Sequence, residues 1–93
     1  MDNFFDNQIG NFTVGRIIDI NRQNRSFTTM CCNNLSSTIR FNVPNNARIF
    51  GFFGNPISFN QLTPGMRVRV RHADFMTMSI PPQTTAFEIN VIR

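Results

Sequence analysis

The sequence predicts an all-β domain, a small Greek-key barrel of five to six strands with one short helical turn. Three observations carry this. The segment Leu62-Thr63-Pro64-Gly65-Met66-Arg67-Val68-Arg69-Val70-Arg71-His72 runs from a turn signature straight into strict alternation of apolar and cationic residues. Shorter alternating runs recur at Ile39-Arg40-Phe41-Asn42-Val43 and Phe87-Glu88-Ile89-Asn90-Val91. No stretch sustains a helical period, and no internal repeat or heptad is present.

Taken in order, residues 1–10 are polar and acidic apart from Phe4, Phe5 and Ile9, and read as a flexible arm before a single domain spanning 11–93. In the first strand Phe12, Val14, Ile18 and Ile20 are expected to share one face, with Gly15 as a bend or bulge and Ile17 on the opposite face beside Asp19, so that the strand is covered on both sides for part of its length. A polar linker from Asn21 to Arg25 leads into a second strand from Phe27 to Cys32 that pairs with the first. Its facing is open, since Phe27, Thr29 and Cys31 compete with Thr28, Met30 and Cys32 for the core side. Residues Asn33 to Ser37 read as a turn, and Ile39, Phe41 and Val43 as the inward side of a third strand.

The section from Pro44 to Gly65 is irregular and rich in Phe, Pro and Gly, with Ser58 placed to cap a helical turn from Phe59 to Leu62. In the strand that follows, Met66, Val68 and Val70 face the core and Arg67, Arg69 and Arg71 face out, successive arginines standing roughly 6.6 Å apart. A long loop ending in Pro81-Pro82 comes next, because proline cannot donate to a sheet ladder. The last strand is expected to turn Phe87, Ile89 and Val91 inward.

Composition narrows the function classes. The 93 residues carry nine basic groups, all Arg, against five acids, for a net charge of +4, a moderate field that favours an anionic partner. Phe supplies all 11 aromatic residues. The two cysteines are adjacent, so they cannot staple distant parts of the chain, and the expectation is a buried thiol beside an exposed one. The start of the sequence lacks the basic and apolar regions of a secretory leader, and no run reaches membrane-spanning length. A cytoplasmic protein with reduced thiols and no membrane association is expected.

Three hairpin-linked strands, an irregular connection with a helical turn, then two further strands is the order of an OB-fold. The residues Gly15, Ile17 and Ile20, then Leu62, Gly65, Val68 and Val70, resemble the Gly-x-Ile-x-x-Ile and Leu-x-x-Gly-x-x-Val-x-Val patterns of small uncharacterised bacterial OB-like barrel domains of unknown function. The tail from Ser79 to Ala86 is similar to one seen in the same group. The resemblance spans residues 12 to 92; it implies the fold and assigns no activity.

Projected on an OB barrel, the usual ligand surface gathers Arg22, Arg25, Phe27, Arg40, His72 and Phe75. Guanidinium groups would meet phosphates and a Phe ring would stack on a base, the two ingredients of single-strand binding. The competing reading makes Phe27 core and the arginines a solubilising coat. The row Arg67, Arg69 and Arg71 is read as discouraging edge-to-edge aggregation, with Arg in place of Lys tilting it toward recognition. A second class of function is protein interaction or self-assembly through Phe50, Phe52, Phe53, Met76 and Met78, together with Phe75. No enzyme is expected: Cys31, Cys32 and His72 form no metal-ligand spacing, and His72 with Asp74 has no nucleophile beside it. No cofactor is expected either. The partners foreseen are single-stranded nucleic acid or another polyanion, or a second protein chain.

Overall fold

The computed structural model describes residues 11–32 and 34–93, so the N-terminal arm of 1–10 lies outside the described residues. Six strands follow in order: β1 (Asn11–Asn21), β2 (Ser26–Cys31), β3 (Asn34–Asn42), β4 (Arg48–Phe50), β5 (Arg67–His72) and β6 (Gln83–Ile92). Among the described residues a single 3-10 turn, Phe59–Gln61, stands between β4 and β5. The chain is all-β, and no helix among the described residues is long and apolar enough to cross a membrane.

The strands form one sheet in the order β3-β2-β1-β5-β6-β4, and β3 also pairs with β6, which closes a ring. The ring is uneven. Its antiparallel sides are ladders of five or six residue pairs, three of them carrying a register shift, whereas the closing β3–β6 contact is parallel and holds only three residue pairs, Arg40 with Gln83, Phe41 with Thr84 and Asn42 with Thr85. The short β4 adds to the free side of β6, also in parallel.

One apolar cluster fills the interior: Ile17, Phe27, Phe41, Val43, Ile49, Val68, Val70, Ala86 and Ile89 from the strands and their ends, with Phe59 and Leu62 from the 3-10 turn region. The turn forms where the sequence places it. The Ser58 N–H donates to Gln61 Oε1 at 2.9 Å and the Gln61 N–H donates to the Ser58 carbonyl at 3.0 Å, a reciprocal closure that delivers Phe59 and Leu62 to the core. Gly65 follows at φ +98°, a conformation closed to residues with a Cβ, and its N–H donates to the Ile17 carbonyl at 2.7 Å.

The alternation of β5 is as the sequence predicts, with Val68 and Val70 fully buried and Arg67 and Arg69 exposed. The four apolar residues expected on one face of β1 do not share it. Gly15 and Ile17 are buried, while Phe12, Val14 and Ile18 are exposed. The reason is a bulge between Ile17 and Asp19 in the β1–β2 ladder, which leaves Ile18 without a partner and returns Ile20 to the core side. Gly15 is no bend; it is where β1 comes close to β2, since a Cβ there would stand 3.0 Å from Thr29 Cβ.

Phe87 is corrected in the same way. The β5–β6 ladder shifts between Arg71 and His72, pairing His72 with Ala86 and Arg71 with Glu88, so Phe87 is the extra residue and turns outward. On β2 both competing sets are partly right: Phe27 and Thr29 are buried, and so is Thr28. From Asn34 on, the segment read as a turn belongs to β3; Asn33 lies outside the described residues. The long loop before β6 passes through a cis Ile80-Pro81 bond, and its end is tied to β3 where the Arg40 N–H donates to the Pro82 carbonyl at 2.9 Å.

Candidate nucleic-acid interface

Of the six residues expected to form a ligand surface, two are buried, two are bonded to main-chain carbonyls and two remain accessible. Phe27 is 1% exposed and packs its ring 5.4 Å from that of Phe41, so no base can stack on it. His72 is also a core residue: its ring lies 5.3 Å from Phe41, Nδ1 contacts the Ala73 carbonyl at 2.9 Å and Nε2 contacts the Thr13 hydroxyl at 2.7 Å. A carbonyl only accepts, so Nδ1 carries the proton and, in the neutral ring, Nε2 accepts from Thr13. Both ring nitrogens are thus occupied in holding the β1–β5 edge to the loop after it.

Arg22 and Arg25 are committed to the chain itself. Arg22 donates to the carbonyls of Leu62 at 2.9 Å and Asn60 at 3.1 Å, clamping the β1–β2 turn to the 3-10 turn. Arg25, at φ +51°, donates from Nε to the Val43 carbonyl at 3.0 Å and lies 5.1 Å above the ring of the buried Phe59. Arg40 and Phe75 remain accessible near the β3–β6 seam: the Arg40 guanidinium has no partner among the described residues, and Phe75 is exposed. Of the assembly residues, Phe50 and Met76 are half-buried, while Phe52, Phe53 and Met78 are exposed.

A different face brings cations and rings together. On the outside of β1 and β5 the register sets Phe12 opposite Arg71, Val14 opposite Arg69 and Arg16 opposite Arg67. Because of the bulge at Ile18, Phe12 and Val14 stand among the arginines of β5. The Arg69 guanidinium lies 5.0 Å from the Phe12 ring centroid and that of Arg71 lies 5.6 Å from the Phe87 ring. The outward turn of Phe87 at its bulge supplies the second ring.

Next to that pair, Arg48 is brought alongside Glu88 by the β4–β6 register. Arg48, Arg71 and Phe87 line a shallow groove of about 460 Å³ with Asn46 and Ala47. The Arg48 guanidinium has no partner among the described residues. Glu88 stands 3.7 Å from Arg71.

Sequence reasoning missed Phe12, Phe87 and Arg48 as members of this face. A signal for the first was present: Ile17 and Ile20, three apart, can both reach the core only if an extra residue lies between them, and that bulge leaves Phe12 outside. Comparison of the chain with protein-family models, with curated proteins and with solved structures finds no match.

Proposed function

We propose that the protein is a small non-catalytic binding module of OB-like connectivity whose outer β1–β5–β6 face takes single-stranded nucleic acid or a related polyanion. The connectivity supports the fold part of this reading. The ring order β1-β2-β3-β6-β5, the parallel β3–β6 contact and the helical turn before β5 match the order expected of a five-stranded Greek-key barrel, although the ring is not a regular barrel and β4 is added outside it.

The observation that carries the functional part is the interleaving of Arg69 with Phe12 and of Arg71 with Phe87 on one accessible face. A guanidinium held over a ring presents a cation for phosphate while the adjoining aromatic surface remains available to a base. Stacking of a base on such a ring is worth about 1 to 3 kcal/mol and tolerates any sequence. The reading differs from the surface foreseen in the sequence by position alone: the chemistry is the same, moved to the face where the rings are exposed.

A comparison of two ligands tests it. Phe12→Leu and Phe87→Leu keep an apolar side chain and remove the ring, so affinity for a labelled oligothymidine should fall while affinity for heparin stays level. Equal loss for both ligands would mean that only charge is read. Self-assembly is the second reading, favoured by Phe53 at 89% and Met78 at 98% exposure in two separate loops. Light scattering that finds a stable oligomer, whose mass is unchanged by oligonucleotide, would move the function there.

A further inference from the structure

At the opposite end of β5 from the Phe87 groove, the two cysteines line a second groove with a different chemistry. The sulfurs of Cys31 and Cys32 adjoin, within reach of closing to a disulfide. Cys32 takes φ +62° in the turn out of β2. The Cys31 main chain is held by Ser37, whose hydroxyl accepts from the Cys31 N–H at 2.9 Å and meets its carbonyl at 2.8 Å. Cys31 is half-buried and Cys32 is exposed.

The groove in front of the pair measures about 320 Å³ and is lined by Val14, Gly15, Met30, Arg16 and Arg67. Each arginine is fixed by one bond to the main chain, Arg16 Nη1 donating to the Gly65 carbonyl and Arg67 Nη1 to the Arg93 carbonyl, both at 2.7 Å. A guanidinium has five N–H donors, so each keeps the remainder for an incoming anion. Two sulfurs, an apolar floor and two anchored cations are therefore gathered in one open site.

We propose that Cys31 and Cys32 form a thiol–disulfide exchange site for low-molecular-weight thiols that carry carboxylates, with Arg16 and Arg67 receiving the carboxylates. The thiolate of the small thiol attacks Sγ of the exposed Cys32. A new sulfur–sulfur bond forms there, the Cys31–Cys32 bond breaks, and its electron pair leaves on Cys31 Sγ, which takes a proton from water. A second small thiolate then attacks its own kind in the mixed disulfide, leaving as the small-molecule disulfide and releasing Cys32 as a thiolate that is protonated in turn. The protein pair gains two electrons and two protons; two small thiols supply the electrons.

The test compares glutathione, which carries two carboxylates, with cysteamine, which carries none, on the disulfide form of the protein, with acid quenching and mass spectrometry. Glutathione should give a mixed disulfide at Cys32 and then the dithiol. The double variant Arg16→Gln, Arg67→Gln should react about five-fold more slowly with glutathione and no more slowly with cysteamine. A second variant, Cys31→Ser, should accumulate glutathione on Cys32 when given the oxidised tripeptide. An equal slowing with both thiols, a first mixed disulfide on Cys31, or a pair that mild oxidation cannot close would each overturn the proposal. The arginine variants keep both cysteines, so this test does not depend on the folding of a serine variant.

Discussion

The guanidinium of Arg69 on β5 stands 5.0 Å from the ring centroid of Phe12 on β1, with Phe12 49% exposed. Each residue came to that place by a different route: Arg69 by simple alternation along β5, Phe12 because the bulge at Ile18 makes Ile17 the inward residue. The contact between them is worth about 0.5 to 1 kcal/mol at an exposed site. Its greater consequence is a cation and an aromatic surface offered together to whatever approaches that face.

Glu88 tempers this face, and its removal has a definite sign. The carboxylate lies 3.7 Å from Arg71, and the two side chains are 29% and 28% exposed. Glu88→Gln should therefore tighten oligonucleotide binding by about two- to five-fold at low salt, because one phosphate competitor is gone. Stability should change by less than about 1 kcal/mol in urea unfolding. Weaker binding would mean that Glu88 positions Arg71 for the ligand instead of competing with it.

Phe27 belongs to the core, and Phe27→Ala should cost about 3 to 5 kcal/mol of stability. Urea denaturation reads this directly. A variant that keeps its unfolding midpoint but loses oligonucleotide binding would restore Phe27 as a ligand platform and contradict its burial against Phe41.

Arg25 should behave as a structural residue. Arg25→Ala loses a hydrogen bond to the Val43 carbonyl and the contact over Phe59, and leaves the left-handed φ in place. Destabilisation of about 1 to 3 kcal/mol is expected, with oligonucleotide affinity of the folded fraction preserved. Binding loss at unchanged stability would return Arg25 to the ligand surface.

Close approach of β1 and β2 at Gly15 gives a fourth expectation. In Gly15→Ala the new methyl meets Thr29 Cβ at 3.0 Å and the Met30 carbonyl at 3.3 Å, neither of which is the end of a flexible side chain. A loss of about 1 to 3 kcal/mol should follow, as for other overpacked sites. Thr29→Gly in the same chain should recover part of it, so a non-additive pair in a double-mutant cycle checks the contact.

How much of this was legible in the sequence depends on where extra residues enter the ladders. The β5 strand was readable because a Pro-Gly turn fixes its start and no bulge interrupts Arg67 to Arg71. β1 and β6 each carry a bulge, at Ile18 and at Phe87, and one extra residue moves everything beyond it to the other face. Phe87 was therefore expected inside and stands outside, and Phe12 was expected on the face of Ile20 and stands opposite it. The contacts of Arg22 and Arg25 were illegible for another reason: their partners are main-chain carbonyls 18 to 40 residues away, which carry no side-chain signature. The all-β class survives such errors because alternation and turn chemistry fix the strands; a surface is harder to place, because it depends on which face each strand presents.

The most direct measurement is the salt dependence of oligonucleotide binding, followed by fluorescence anisotropy for the natural sequence and for Arg69→Gln, Arg71→Gln. If Arg48, Arg69 and Arg71 each displace one phosphate counterion, the log-log slope should be about −2 and should flatten to about −0.7 in the double variant. Binding that is absent at low salt, or a slope that the double variant leaves unchanged, would contradict the assignment of the β1–β5–β6 face.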